Sequence, residues 1–351
     1  MTLQTLRAGF CSLLRIQPRP VVEEHFFYHS FPRLRPGDQT EMIITKGLNI
    51  LRNVKELGLI IAPEIVEWRQ PLIDGTHRVT HLRQKRISFT ELARSQVVEH
   101  GKKFGPFSLE FKIDVLRRMG ALPVIYMPQS LRMSGDLSTL GAMIVTQLGD
   151  VKYTINQLQI LSQITDPQWI LANGVMPPGV TATSVSPDFT INLRNTGDDG
   201  NAVTEKTVPA KFVRDVIDYI GFKNAPFDLM LGVLSLVQTL FYPTDDDLHD
   251  DLLSYYRQRE WRIAGGFLFN GVAHGRSLSD AEKTKFLEID GRFWSREIAD
   301  DQGAFRRIDE TVVIDQFEGK PISDWLSAVL VPPQAFDQAK AIFGDIVVRV
   351  G

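Results

Sequence analysis

One cysteine in 351 residues excludes an internal disulfide and any cysteine-based zinc site. Cys11 reads as a small apolar residue on an N-terminal helix, and the usage fits a reducing cytoplasm. Charge of either sign is not in excess. The 39 basic and 42 acidic residues leave a formal charge of -3, which argues against a globally cationic nucleic-acid binder but leaves room for a local basic groove. Long apolar runs are missing too. The most hydrophobic window, Pro226 to Phe241, is short for a bilayer and carries Asp228 and Gln238, so it reads as a buried helix and no membrane partner is expected. Leu3 to Ile16 is apolar on one side but carries Arg7 and Arg15 and lacks the small-residue cleavage site of a signal peptide. The signatures that name a chemistry directly are absent: no Gly-Lys-Ser/Thr phosphate loop, no Gly-x-Ser-x-Gly elbow, no His-Glu-x-x-His. The acids from Asp245 to Asp251 follow Thr244, where a helix dipole explains them. A helical turn also spreads them around the cylinder, so no metal is expected.

What is present is an ordinary globular composition, 43% hydrophobic and 23% charged, on a chain long enough to bury a substantial core. The aromatic run His25 to Phe31, bounded by Pro32, predicts a short buried strand. Helical spacing of Ile43, Ile44, Leu48, Leu51, Val54 and Leu57 predicts a helix closed by Gly58. Further strands are expected at 61–72, 87–92, 107–113, 123–127, 261–269, 311–317, 326–331 and 346–350. Helices are expected after Leu92 to His100, within 134–165, at 209–221, 226–241 and 333–343, and from Thr244 to Gln258. The class is α+β, short strands with helices inserted between them. The organisation is an N-terminal arm (1–23), a first half (24–164), a polar insertion rich in Asn, Thr, Gly, Ser and Pro (165–208), and a helical segment with the second half of the domain (209–351).

The densest chemistry lies in Ser254 to Ile263, where a helix hands over to a strand and can aim Glu260 into a cleft. A charge-alternating segment in which Glu260 pairs with Arg257, Arg259 or Arg262 accounts for the same residues. Two residues apart on an extended chain, Gln258 and Glu260 face the same way. His29 at the end of an early strand, and Ser88 with Thr90 on a second, are the other candidates. Ser88 also stands three residues before Glu91, at the spacing of a helix-capping box. Arg83, Lys85 and Arg86 read as a solvated basic edge. A carboxylate beside a ribose can bond its 2′-hydroxyl and stabilise an oxocarbenium-like transition state, while arginines and histidines hold a pyrophosphate. Transfer of ADP-ribose from NAD requires such a set.

The order Phe27-Tyr28-His29, Ile50-Leu51, Leu57-Gly58-Leu59, Ile87-Ser88-Phe89-Thr90-Glu91-Leu92, His100, Phe104-Gly105-Pro106-Phe107, Pro123-Val124-Ile125-Tyr126 and Tyr256-x-x-x-Glu260-Trp261-Arg262 resembles the AbiGi-type abortive phage-resistance proteins. The resemblance covers roughly 24–127 and 250–345. It implies a split sheet similar to ADP-ribosyltransferases and a cytoplasmic NAD-dependent effector in phage defence. In that reading Glu260 is the catalytic acid and His29 lies at the adenosine-side ribose. Ser88 or Thr90 supports the cleft, and Tyr126, Gln258 and Arg262 join it in binding NAD. Tyr126 and Tyr153 are the candidates for the family's central tyrosine. The same resemblance implies an alternative, a non-catalytic defence or antitoxin partner that binds a cognate toxin or phage protein through the insertion and helices. Nucleic acid, by way of Arg83, Lys85 and Arg86, is the less favoured partner.

Overall fold

A computed structural model describes residues 24–34, 36–72, 74–129, 140–173, 189–196, 202–219, 227–245, 259–269, 272–300 and 303–350. The first part of the chain runs β1 (His25–Phe31), α1 (Thr40–Leu57), β2 (Leu59–Ile61), β3 (Pro63–Pro71), β4 (His77–Ala93), α2 (Val97–Phe104), β5 (Phe107–Phe111), α3 (Ile113–Arg118), β6 (Leu122–Pro123) and β7 (Ile125–Gln129). It continues through α4 (Leu140–Ile164), α5 (Pro167–Asn173), the hairpin β8 (Thr190–Thr196) and β9 (Ala202–Pro209), α6 (Ala210–Tyr219), α7 (Phe227–Leu240) and β10 (Phe241–Asp245). The last third holds β11 (Glu260–Ala264), β12 (Phe267–Phe269), β13 (Val272–His274), β14 (Arg276–Ser277), α8 (Asp280–Trp294), β15 (Glu297–Asp300), β16 (Gly303–Arg306), β17 (Val312–Ile314), β18 (Gln316–Phe317), β19 (Lys320–Pro321), β20 (Leu326–Val331), α9 (Phe336–Phe343) and β21 (Val347–Arg349).

The fold is mixed α+β, with an eight-stranded sheet in the order β21-β20-β5-β1-β4-β11-β6 and β3 paired to the first half of β4. Alternation of side chains along each strand decides its two faces. Phe27, Phe31, Ile87, Phe89, Phe107, Leu109, Phe111, Ile263, Val329 and Val331 belong to one apolar cluster, covered by Leu48, Leu51 and Val54 of α1 and by Ala339 and Phe343 of α9. The helix lies close. A β-carbon added at Gly47 of α1 would stand 2.2 Å from the Phe107 ring, so only glycine allows this approach. At the end of α1, Gly58 has φ +90 and its missing β-carbon would meet the Ile314 carbonyl at 2.1 Å, which fixes the turn into β2.

The opposite face carries the intervening residues: Tyr28, Ser30, Ser88, Thr90, Ser108, Glu110, Glu260 and Arg262. The register brings Tyr28 against both Thr90 and Glu110, and Thr90 against Glu260. Over β4 and β11 this polar face is met by α7. Beyond β6 the chain turns out of the sheet as β7, which pairs in parallel with β10 and places Tyr126 beside Tyr242. Among the described residues no helix is long and apolar enough to cross a membrane.

Two local expectations are corrected. β4 is one continuous strand from His77 to Ala93, so Ser88 sits in mid-strand and caps no helix. Helix α2 begins only at Val97, because cross-strand bonds to β1 and β11 hold residues 86–93 extended. The expected helix from Thr244 to Gln258 lies almost wholly outside the described residues, and β10 takes its first two. Within the 165–208 stretch stand α5 and the β8–β9 hairpin.

On α2, His100 stacks on Phe104 at 4.4 Å between ring centres. Burial, then the nearby Lys103 charge, pushes its imidazole down to about 4. Burial also lowers His29. Between the ordinary histidine value of 6.5 and about 4 the unfolded chain therefore binds more protons than the folded one. Stability should fall as pH drops through that window. His100→Phe should flatten the slope in urea unfolding followed across it.

Candidate functional site

Glu260 opens β11, directly after Arg259, whose φ of +42 lies in the left-handed region that non-glycine residues rarely occupy. That turn is pinned by the Arg259 carbonyl, which accepts from the Glu91 N–H at 3.3 Å. The Arg259 guanidinium also donates to Glu91 Oε1 at 3.1 Å. The carboxylate of Glu260 is then received by three elements. Ser88 of β4 donates to Oε1 at 2.7 Å, Arg262 Nε to the same oxygen at 3.0 Å, and Tyr126 of β7 to Oε2 at 2.5 Å.

Burial raises the cost of the charged carboxyl, but Arg262, Tyr126 and Ser88 together outweigh it and hold Glu260 below its usual range. Its side chain keeps 14% exposure, against 1% for Arg262. Tyr126 is pushed up, by burial first and then by the Glu260 charge, so its hydroxyl remains a donor.

A second arginine extends the cluster. Arg86 precedes Ser88 by two residues and therefore shares its face. Arg86 is buried and donates to Glu64 Oε2 at 3.1 Å and to Gln84 Oε1. Its Nε has no hydrogen-bond partner among the described residues. Both guanidinium groups lie over the Tyr242 ring, Arg262 at 5.0 Å and Arg86 at 5.4 Å from its centre. Tyr242 in turn meets Tyr126 edge-on at 6.2 Å. Burial, and then repulsion by Arg262, lowers Arg86 to about 10. Arg262 also donates to the Thr239 carbonyl at 2.7 Å, tying the cluster to α7.

Of the residues expected to line one cleft, the structure brings together Glu260, Ser88, Tyr126 and Arg262, with the buried Thr90 opposite Glu260 in the ladder. His29 is not with them. It shares the face of Phe27 and Phe31, stacks on Phe31 and meets Phe89 at a tilt, with ring centres 5.8 Å apart in each pair, and bonds through Nδ1 to the Ser88 carbonyl at 2.9 Å. The sheet stands between its ring and Glu260, because one residue of offset along β1 reverses the side chain. Tyr153, the other tyrosine candidate, lies on α4 and is 66% exposed, while Tyr126 reaches Glu260. Gln258 falls outside the described residues, as do Asp246 to Asp251 of the acidic run. Among the described residues no group of His, Cys, Asp or Glu is arranged to hold a metal.

The basic edge at 83–86 is also corrected. Arg83 bonds Asp300 and Glu310 at 3.1 Å each, Lys85 bonds Glu310 at 2.6 Å, and Arg86 is buried. Sequence reasoning named Arg86 only as part of that basic edge and missed Gln84 and Tyr242. The period-two relation of Arg86 to Ser88 and Thr90 was the signal that places it in the Glu260 cluster. No protein-family model, no curated protein and no solved structure matches this chain.

Proposed function

We propose that the Glu260 cluster is the catalytic centre of an ADP-ribosyltransferase-like enzyme that uses NAD, acting as an effector in phage defence. One observation carries this reading: a carboxylate held ionised by Ser88, Tyr126 and Arg262, at the first residue of a strand and immediately after the left-handed Arg259. Support also comes from the buried, unsatisfied Arg86 Nε and the Tyr126–Tyr242 pair beside the carboxylate. The arginines suit phosphate oxygens and the rings suit a flat leaving group.

In this chemistry the bond from ribose C1′ to nicotinamide nitrogen breaks, and the bonding pair leaves with nicotinamide. Glu260 accepts a hydrogen bond from the ribose 2′-hydroxyl and stabilises the cationic sugar. The acceptor's nucleophilic atom then bonds to C1′ and loses its proton to water. Expression of the wild-type chain should arrest bacterial growth and deplete cellular NAD. Glu260→Gln, which keeps the shape of the side chain, should do neither. Equal arrest by the two would remove Glu260 from the catalytic role.

A second reading is favoured by a specific observation: both oxygens of Glu260 already accept bonds from the chain itself, and His29 lies across the sheet. In that reading the cluster is a structural lock in a defence or antitoxin partner. Such a protein would bind through the β8–β9 hairpin and the helices, where Phe212 and Tyr219 of α6 are 60% and 92% exposed. Deleting residues 190–203 should then abolish partner binding while Glu260→Gln has no effect on it.

A further inference from the structure

A cleft of about 690 Å³ opens between β4, α4, α7 and the turn at Ala264 to Gly266. That volume falls within the range of small-molecule sites, about 300–1,000 Å³. Four cations line it, Arg78, Arg83, Lys85 and Lys152, against three carboxylates, Asp150, Asp300 and Glu310. The carboxylates are distributed unevenly. Asp300 and Glu310 bond Arg83, Glu310 also bonds Lys85, and Asp150 stands 3.8 Å from Arg78.

Lys152 of α4 has no hydrogen bond or ion pair among the described residues. It is half-buried, and burial followed by the like charge of Arg83 lowers its ammonium, with Asp300 acting in the other direction. A lysine in this position is under-neutralised: an anion placed between it and Arg83 would relieve the repulsion and recover part of the lost solvation. The remaining walls combine hydroxyls and an amide at Thr80, Ser235 and Asn156 with the apolar Leu82, Leu231 and Leu236 and the Tyr153 ring, a mixture that suits a sugar and a flat base. The cleft also shares a layer with the Glu260 cluster. Gln84, whose carbonyl oxygen receives Arg86, and Thr239, whose backbone carbonyl receives Arg262, both line it.

We propose that this cleft binds a phosphate-bearing small molecule of nucleotide size, with its phosphoryl oxygens on Lys152 and Arg83. The assignment stands on the cleft alone and does not depend on transfer chemistry at Glu260. The probe is ADP-ribose titrated calorimetrically into the full chain, with inorganic pyrophosphate as competitor. Saturable binding is expected, weakened at least about tenfold by Lys152→Met and largely restored by Lys152→Arg. Lys340→Met, on α9, should leave it unchanged. No binding to the wild type, no competition by pyrophosphate, or an unchanged Kd in Lys152→Met would overturn the site. ADP-ribose binding by a chain that releases no nicotinamide from NAD would leave this site standing and remove the transfer reading. Nicotinamide release from NAD, with an ADP-ribose Kd indifferent to Lys152→Met, would do the reverse.

Discussion

Arg262→Met should lower the free energy of unfolding by about 3–5 kcal/mol, the cost of removing one partner from a buried ion pair. Methionine fills much of the arginine stem's volume, so packing is nearly conserved and the loss is electrostatic. What disappears is the Nε bond to Glu260, the bond to the Thr239 carbonyl and the cation over Tyr242. What remains is a largely buried carboxylate with two hydroxyl donors. Arg86 limits the damage, since it is the next cation and is released from Arg262's repulsion. The value should therefore fall toward the lower end of the range.

The pH dependence provides a second readout. Glu260 is depressed in the folded state, so its contribution is present above the unfolded carboxylate value and lost as pH falls through the folded one. Without Arg262 the folded value rises, and acid unfolding should begin at higher pH. In the double variant Arg262→Met, Glu260→Gln the carboxylate charge is gone. The two substitutions should then cost less together than the sum of each alone. Additive costs in urea unfolding would mean that the pair is not coupled.

The second large effect is expected on the same face, three strands from Glu260 in the same cross-strand row. Glu110 is fully buried in β5 and accepts from Tyr28 at 2.7 Å and from Arg94 at 2.9 and 2.6 Å. Arg94 holds the only exposed end of this triad, with half its side chain in solvent and its guanidinium over Phe26 at 5.5 Å. Glu110→Ala leaves the Tyr28 hydroxyl buried without its acceptor and opens a cavity, while Arg94 can rehydrate. A loss of about 3 kcal/mol is expected from these combined effects. Adding Tyr28→Phe should return about 1 kcal/mol by removing the stranded hydroxyl. A total loss under about 1 kcal/mol, measured by urea unfolding, would show that Glu110 contributes little net stability.

The difference between these two clusters and the apolar face explains what the sequence disclosed. The aromatic run His25 to Phe31 and the period-two alternation in Phe107 to Phe111 mark strands, and helical spacing from Thr40 to Leu57 marks α1. The α+β class follows from those patterns. Parity along β1 assigns His29 to the face of Phe27 and Phe31, and that much of its placement was legible. The pairing of β4 with β11 was not. Ser88 and Glu260 are 172 residues apart, and no local pattern reports which distant strand a strand will choose.

Arg86 shows the other limit. A strand with Arg86, Ser88 and Thr90 alternating with Ile87 and Phe89 looks like one with a solvated polar side. Only the arrival of α7 and the β7–β10 ribbon turns that side into a buried polar cluster. Likewise Arg83 and Lys85 resemble a free basic edge until Asp300 and Glu310 arrive from the last third of the chain.

The most direct test is a proton NMR time course of the purified chain with NAD, which separates free nicotinamide from the bound form. Wild-type protein should release nicotinamide, and Glu260→Gln, folded by the same spectra, should release it at least about 100-fold more slowly, the size of effect seen when a transition-state charge stabiliser is removed. Equal release by the two proteins, or no release by the wild type, would contradict Glu260 as the centre of an NAD-consuming site.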